Sequence, residues 1–340
     1  MSNQQIVVRL NSESFPPTEL ERSLWSQLPA EVRLGEGGTP DEIMTVARDA
    51  TSILIIAARL PATVIASLPN LRHISRIGTG TDKIAVDEAT RRGILVTNVP
   101  DFSTEEVADH TMALLLSAVR QLPHFSSAVA RGQRELAGKI LHRLASRTVA
   151  LIGFGNIGKA VAKRLAGFGP RILAVDPRLD SATAQSLGVE IRALDAALVE
   201  ADIVVLLCPL LPATKNMLNA ERIARMKSGV ILVNTARGEL VDEIALAQAL
   251  HSGTITFAAI DVFGDTDVFA VDGFPTTHPI FHSPNTVLTP HVAAHSEESM
   301  ADCHRRAIQA VADVLSGRWP RHPVNPEVIP RQTLIQQEQP

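Results

Sequence analysis

Thr148-Val-Ala-Leu-Ile-Gly-Phe-Gly-Asn-Ile-Gly158 is the stretch whose reading decides the fold. Its apolar half has the composition of a buried strand, and it ends in Gly153-x-Gly155-x-x-Gly158. A helix-like segment, 159–168, follows, and then a second apolar run, Ile172-Leu-Ala-Val, closes on Asp176. Strand, glycine turn, helix, strand and terminal acid in this order are what a dinucleotide site requires. Gly153 permits the tight turn out of the strand, Gly155 lets backbone approach a pyrophosphate, and Gly158 lets helix and strand pack closely. The helix N-terminus adds unsatisfied N–H groups and the positive end of its dipole. A carboxylate at Asp176 can accept from both ribose hydroxyls and repels a 2′-phosphate, so the expected cofactor is NAD. Arg178, two residues on, is the group that could offset that repulsion.

Outward from this stretch, short apolar runs alternate with helix-like segments, the pattern of an α/β chain with parallel sheets. Strands are expected in the first third at 6–10, 52–56, 73–77 and 94–97, with helices at 18–27 and 41–49 among those between them. The second set begins at Thr148 and continues through 171–175, 203–207, 230–234, 256–260 and 286–288. The expected fold is therefore two doubly wound parallel-sheet units, of which only the second carries a phosphate fingerprint. A long helix candidate, 104–122, holds Met112-Ala-Leu-Leu-Leu at its middle and could bridge the units, bury a dimer face, or serve as an ordinary core helix. The polar last ten residues, 331–340, read as frayed or as an arm lying on a partner.

Composition narrows the function classes. The 340 residues are 45% hydrophobic and 20% charged with net charge −4, so there is no basic field to hold nucleic acid. No apolar stretch is long enough to span a bilayer, and Met1-Ser-Asn-Gln-Gln lacks the basic and apolar regions of a signal peptide. Cys208 and Cys303 lie far apart with no metal spacing and fit a reducing compartment. A cytoplasmic protein is the expectation.

A nicotinamide site that reduces a 2-keto acid needs a cation to clamp the carboxylate and polarise the carbonyl, and an acid to protonate the oxygen. In open α/β sheets such groups sit at the carboxyl ends of strands. Arg237 follows Val230-Ile-Leu-Val-Asn-Thr-Ala, where a planar guanidinium is shaped for a bidentate grip; read alone, a surface arginine is the better reading. Asp261 ends Ala258-Ala-Ile and could accept from the nicotinamide carboxamide, or be a helix cap or loop acid. His291 follows Thr286-Val-Leu-Thr-Pro290 and is a candidate proton donor at a strand tip, or a histidine satisfied at a domain edge. His291 and His295 are four apart, but Pro290 keeps them off a helix and no acidic or thiol ligand accompanies them, so no metal is expected. Gly78-Thr-Gly80-Thr-Asp82 is either a nest of N–H groups for an anion or a plain turn.

Taken together, these residues resemble the D-isomer-specific 2-hydroxyacid dehydrogenases, including the phosphoglycerate dehydrogenases and the C-terminal-binding-protein branch. The resemblance runs from about 52 to about 326. Ile77-Gly-Thr-Gly-Thr-Asp82 is similar to the family's substrate-carboxylate loop, which implies substrate contacts at Thr79 and Gly80, with Arg76 reaching a substrate anion. Asn98-Val-Pro100 through Val107-Ala-Asp-His110 is similar to the segment entering the cofactor domain. Asn234-Thr-Ala-Arg-Gly-Glu-Leu-Val-Asp242 resembles the block with the catalytic arginine, Ala259-Ile-Asp-Val-Phe263 the block whose aspartate orients nicotinamide, and Thr289-Pro-His291 the block with the acid/base histidine. By resemblance the cofactor contacts are Gly153, Gly155, Asn156, Ile157, Gly158 and Asp176, joined by Thr104, Cys208, Pro209, Thr235, Ala236 and Asp261.

The resemblance also implies a split, flavodoxin-like substrate domain, 1–102 and 295–330, with a Rossmann cofactor domain, 103–294, inserted into it and a polar tail, 331–340. It implies an active site in the cleft, a small 2-keto or 2-hydroxy acid as substrate, and a homodimer through the cofactor domain. One position departs from the pattern. The family carries a glutamate five residues after the Asp261 equivalent, paired with the histidine; here that position is Thr266, in a lengthened loop where Asp265, Asp267 or Asp272 would have to stand in. The reading is an NAD-dependent D-2-hydroxyacid dehydrogenase. Its rival is an NAD(H)-sensing dimeric binding module of the corepressor type with little turnover.

Overall fold

The computed structural model describes residues 5–134, 136, 141–264, 266, 268–270, 273–274 and 276–336. The chain divides into two compact units, one made of residues 1–102 and 296–340, the other of 103–295.

Unit 1 carries β1 (Ile6–Arg9), α1 (Glu19–Trp25), β2 (Glu31–Leu34), α2 (Pro40–Val46), β3 (Ser52–Ile55), α3 (Ala62–Ser67), β4 (His73–Arg76), α4 (Val86–Arg91) and β5 (Leu95–Thr97). The five strands form one parallel sheet in the order β2-β1-β3-β4-β5. Parallel sheets are covered on both faces, so β1 and β3 are buried along their whole length, Arg9 at the end of β1 being paired with Glu21. One face packs Val8, Ile53, Ile55 and Ile74 with Ile43, Val64 and Ile65 of α2 and α3. The other packs Val7 and Leu54 with Trp25 of α1 and with Cys303, Ala307, Ile308 and Val311. These last four come from a helix that follows unit 2 in sequence. Helices α1 and α2 each start with a capping box, Thr18 with Glu21 and Thr39 with Glu42. Strand β2 was not expected: its Glu31-Val-Arg-Leu34 is a partly exposed edge whose two charged residues hide the apolar signal.

Residues 331–335, in the stretch expected to fray or to lie on a partner, pack on unit 1 instead. Arg331 N–H donates to the Gly93 carbonyl (3.0 Å), and Ile335 N–H to that of Gly317 (2.8 Å). The Arg331 guanidinium also donates to Pro69 and Leu71 carbonyls, at 2.7 and 2.9 Å. Residues 331–335 are thus fastened to unit 1.

Unit 2 carries α5 (Thr104–Arg120), α6 (Leu122–Ala130), β6 (Thr148–Ile152), α7 (Asn156–Ala166), β7 (Arg171–Val175), α8 (Ser181–Ser186), β8 (Glu190–Ile191), α9 (Leu194–Glu200), β9 (Ile203–Leu206), α10 (Ala220–Arg225), β10 (Val230–Asn234), α11 (Glu243–Ser252), β11 (Ile255–Ile260) and β12 (Thr286–Leu288). Its parallel sheet runs β12-β11-β10-β9-β6-β7-β8. Helix α5 buries Met112, Leu115 and Val119 in the core it forms with α7, β10 and β11, which makes it a core helix of this unit. It stops at Arg120, two residues short of the expectation, because Gln121 takes a left-handed φ of 50° and Pro123 restarts the chain as α6. The two-residue edge strand β8 carried no readable period. The last helix, α12 (Glu297–Leu315), is capped by Ser296 and returns the chain to unit 1.

The two sheets reverse direction at different places. In unit 1 the reversal lies between β1 and β3, in unit 2 between β6 and β9. Ligands of doubly wound sheets bind at the carboxyl ends of the strands flanking such a reversal.

Candidate active site

Unit 2 keeps its reversal open by means of its glycines. Gly153 leaves β6 at φ +102°, and a Cβ there would lie 2.6 Å from the Cys208 backbone nitrogen at the end of β9. That conformation and that closeness both require glycine. A Cβ on Gly158 would meet the Gly153 carbonyl at 2.5 Å, so α7 sits as near the turn as backbone allows. Gly155 is the contrast: a Cβ there would have nothing within 4 Å. Gly155 is also the N-cap of α7 and no side chain caps it, which leaves the N–H groups of Asn156, Ile157 and Gly158 directed at that space. Open space over a glycine, beside uncapped helical donors, fits a pyrophosphate.

Asp176 follows β7. Its Oδ2 accepts from Phe154 N–H (2.9 Å) and its Oδ1 from Arg178 N–H (2.9 Å), so the carboxylate is aimed across the glycine turn. Burial alone would raise its pKa, but these two N–H donors, with the charges of Arg178 and Lys159, hold it below the usual carboxylate value. It is therefore an anion when it meets a ribose. The Arg178 side chain is 83% exposed and its Nε lies 3.8 Å from Asp176. Cys208 supplies backbone beneath Gly153, while burial pushes its thiol up to about 11, which removes it as a nucleophile. The Pro209 carbonyl accepts from the Thr214 hydroxyl (2.7 Å), and Thr104 opens α5.

Three strand ends farther along the same sheet, beyond β9, carry the candidate chemistry. Chain leaving β10 is shaped by buried Asn234, whose side chain donates to the Arg237 carbonyl (2.8 Å) and accepts from Ala236 N–H (3.0 Å). The Thr235 hydroxyl bonds that of Thr111 (2.7 Å), which fixes the β10 end against α5. Arg237 projects from this turn with extended backbone, and one Nη donates to the Ala236 carbonyl (2.7 Å). Gly238 comes next, in direct contact with the Phe263–Gly264 backbone, where a Cβ would collide. The arginine turn and the segment after β11 are thus locked together.

Asp261, at the end of β11, is fully buried. Its Oδ1 accepts from the Thr289 hydroxyl (2.5 Å) and Val292 N–H (3.0 Å), its Oδ2 from Ala293 N–H (3.0 Å). His110 Nε2 lies 3.0 Å from the Thr289 hydroxyl and 3.5 Å from Asp261. The Thr289 proton goes to Asp261, so the hydroxyl accepts from His110. Burial would raise the Asp261 pKa, yet His110, Thr289 and the two N–H groups hold it below the ordinary value. Both its oxygens already face inward donors, so a carboxamide contact would share them.

His291 N–H donates to the Asp261 carbonyl (2.8 Å), and the residue adopts φ 56°. A left-handed histidine is uncommon and persists only where its surroundings fix it. Here Asp261 grips the chain at Thr289, Val292 and Ala293, on both sides of it. Phe269 lies against the imidazole, with ring centroids 5.2 Å apart.

Sequence reading gave no role to His110, Glu243 or His278. His110 is separated from Asp261 by more of the chain than any motif spans. Glu243, the first residue of α11, accepts from Gly264 N–H on both oxygens (3.1 Å each) and bonds His278 Nε2 (2.8 Å), a pairing across 35 positions. The candidate stand-ins Asp265, Asp267 and Asp272 lie outside the described residues, and Thr266 is half-buried. His295 N–H donates to the Val292 carbonyl (2.9 Å).

In unit 1, the loop after β4 turns on Gly78 at φ +135°. The Thr79 hydroxyl donates to the Val99 carbonyl (3.0 Å), and Asn98 donates to the Thr79 carbonyl (2.7 Å). Arg76 folds back: its Nε donates to the Gly80 carbonyl (3.1 Å) and its Nη1 to that of Ile77. It braces the loop from within, in the space that the missing Cβ of Gly78 leaves for the guanidinium.

Comparison with known proteins places these features. The family described as "D-isomer specific 2-hydroxyacid dehydrogenase, NAD binding domain" matches residues 112–293. A glyoxylate reductase of Pyrococcus furiosus is 36% identical over 324 residues, covering 92% of this chain and 91% of its own. A D-3-phosphoglycerate dehydrogenase of Mycobacterium tuberculosis is 35% identical over 296 residues, covering 87% of this chain but 55% of its own. The chain thus spans about half the length of the phosphoglycerate dehydrogenases it matches. The D-lactate dehydrogenase of Aquifex aeolicus, solved with NAD and lactic acid, superimposes with a TM-score of 0.82 at 27% identity, covering 92% of this chain and 96% of that one. With its NAD-binding domain matched and its two parallel sheets shared, the chain belongs to the D-isomer specific 2-hydroxyacid dehydrogenase family.

Proposed function

We propose that this protein is an NAD-dependent D-2-hydroxyacid dehydrogenase that interconverts a 2-keto acid and its D-2-hydroxy acid. One observation carries the reading. The turn after β10 that bears Arg237, the Asp261 anchor after β11 and the His291 segment after β12 are successive strand ends, bonded to one another, in the same sheet as an open glycine turn that fits a dinucleotide.

Asp176 would hold the adenosine ribose and the α7 N-terminus the pyrophosphate; NADH, when bound, supplies the hydride. Arg237 offers its guanidinium to the substrate carboxylate and polarises the carbonyl oxygen. His291 gives that oxygen a proton during reduction and takes it back during oxidation. Backbone N–H groups of Thr79 and Gly80 are the proposed donors to the carboxylate. A second copy of the chain is the proposed partner through unit 2, where Leu122 and Val129 of α6 are 53% and 71% exposed; light scattering reporting a monomer removes that part.

The test follows NADH oxidation against glyoxylate, pyruvate, hydroxypyruvate, phosphohydroxypyruvate and bulkier 2-keto acids. Turnover of one acid, reduced about 10²–10⁴-fold in His291→Ala and about 10²–10³-fold in Arg237→Ala, is expected. Tight NADH binding with no turnover of any acid would favour the sensing module instead. The relatives named above carry enzyme names, which weighs against that alternative.

A further inference from the structure

We propose that Phe269 is a positioning residue that holds the His291 imidazole in place, and that the Glu243 clasp at the base of its loop is what delivers it. The catalytic part of this inference rests on the activity proposed above. The geometry does not.

The backbone of His291 is fixed by Asp261, and the direction of its ring is set by contacts of the side chain itself. Among the described residues, the ring in contact with the imidazole is Phe269, with centroids at 5.2 Å and planes inclined by 37°. That tilted contact blocks rotation on one side and keeps water from that face. An aromatic face also tolerates the imidazolium that must form in each catalytic cycle.

Phe269 belongs to the segment between Gly264 and His278, where the chain departs from the family pattern. Such an insertion can place a ring reproducibly only if its ends are fixed. Both ends converge on one carboxylate: Gly264 N–H and His278 Nε2 bond Glu243 at 3.1 and 2.8 Å. Ile280 N–H donates to His278 Nδ1 (3.3 Å), which selects the tautomer with the proton on Nε2. Phe263 and Phe281 pack edge-on at 4.9 Å, and His278 lies 5.0 Å from Phe281, closing the base with aromatic contacts. Gly238, against the Phe263–Gly264 backbone, then ties this base to the arginine turn.

The first readout is the ring-proton NMR signal of His291 in the cofactor-free protein, assigned by its loss in His291→Gln. Phe269→Leu should move that signal, because the ring current of Phe269 is gone, and Phe269→Tyr should restore it. Glu243→Gln should move it in the same direction by a smaller amount. The second readout is kinetic: Phe269→Leu should lower kcat roughly tenfold with KM changed less than about twofold, and Phe269→Tyr should recover it. An unmoved His291 signal in Phe269→Leu overturns the inference, as does a moved signal with unchanged kcat. If the wild type turns over none of the acids, the activity reading fails, and the NMR signals alone decide whether Phe269 and its clasp hold the ring.

Discussion

The two units wind parallel sheets by the same rule and then treat the reversal of strand order in opposite ways. In unit 2 the ends of β6 and β9 meet across Gly153, and the space above Gly155 is left clear. In unit 1 the equivalent place, between β1 and β3, is filled from within. Asn11 leaves β1 at φ 63°, and its Oδ1 accepts from the N–H groups of Ile56, Ala57 and Ala58, at 3.3, 2.8 and 2.9 Å. Backbone donors that unit 2 keeps for a ligand are taken up in unit 1 by an asparagine that is itself buried. Fold supplies the crevice twice, and side chains decide which one is a site. Unit 1 is left with the loop after β4 as its outward-facing anion candidate, braced by Arg76.

Three experiments would break or sharpen this contrast. The largest effect is expected from Gly153→Val, which places a branched side chain at φ +102° against the Cys208 backbone. NADH affinity should fall at least about 100-fold, with a lowered melting temperature, since a β-branched residue in that region is a genuine outlier. Fluorescence titration returning wild-type affinity would show that the open crevice is not the dinucleotide site. A smaller effect is expected from Asn11→Ala, which orphans three N–H groups. Urea unfolding should show a loss of about 2–4 kcal/mol, while NADH affinity stays within about twofold; a large loss of affinity would mean that the filled crevice takes part in binding after all.

The smallest effect concerns acid. His73 in β4 is fully buried with Nε2 on the Thr97 hydroxyl at 2.9 Å, and burial lowers its pKa to about 3. Unfolding restores a value near 6.5, so between about 6.5 and 3 the unfolded chain binds the extra proton. The stabilisation is complete above that window and is lost as pH falls through it, by about 2 kcal/mol at pH 5. In unit 2 the half-buried Asp176 and the buried Asp261 are held below the ordinary carboxylate value, so their contributions persist to lower pH. Hydrogen exchange at pH 5 should therefore loosen unit 1 first, and His73→Leu should remove much of the difference. Equal loosening of both units would contradict it.

The sequence made the doubly wound plan and the glycine turn readable, because both depend on local spacing: a strand, three glycines, a helix and an acid within 30 residues. Arg237 and His291 were readable as strand-tip residues for the same reason. Edge strands β2 and β8 were not, since an edge strand need not be apolar and two or four residues show no period. Nor were the anchors. Asp261 with His110, Glu243 with His278, and Asn11 with its three amides join positions far apart, and nothing local marks a carboxylate or amide whose partners arrive only on folding. The turn at Gln121 was likewise hidden, because helix propensity continues across a residue that tertiary structure forces into φ 50°.

The return of α12 to unit 1 has a consequence for how the chain matures. Val7, Leu54 and Trp25 finish their packing only against Cys303, Ala307, Ile308 and Val311. On a ribosome, all of residues 103–295 are made in between. At about 5–20 residues per second, the first sheet waits about 10–40 s with one apolar face covered by α1 but not yet by α12, while unit 2 already has its whole sequence. The unit that holds the cofactor can thus form first, and the half-built unit upstream of it is the part of the nascent chain most in need of protection.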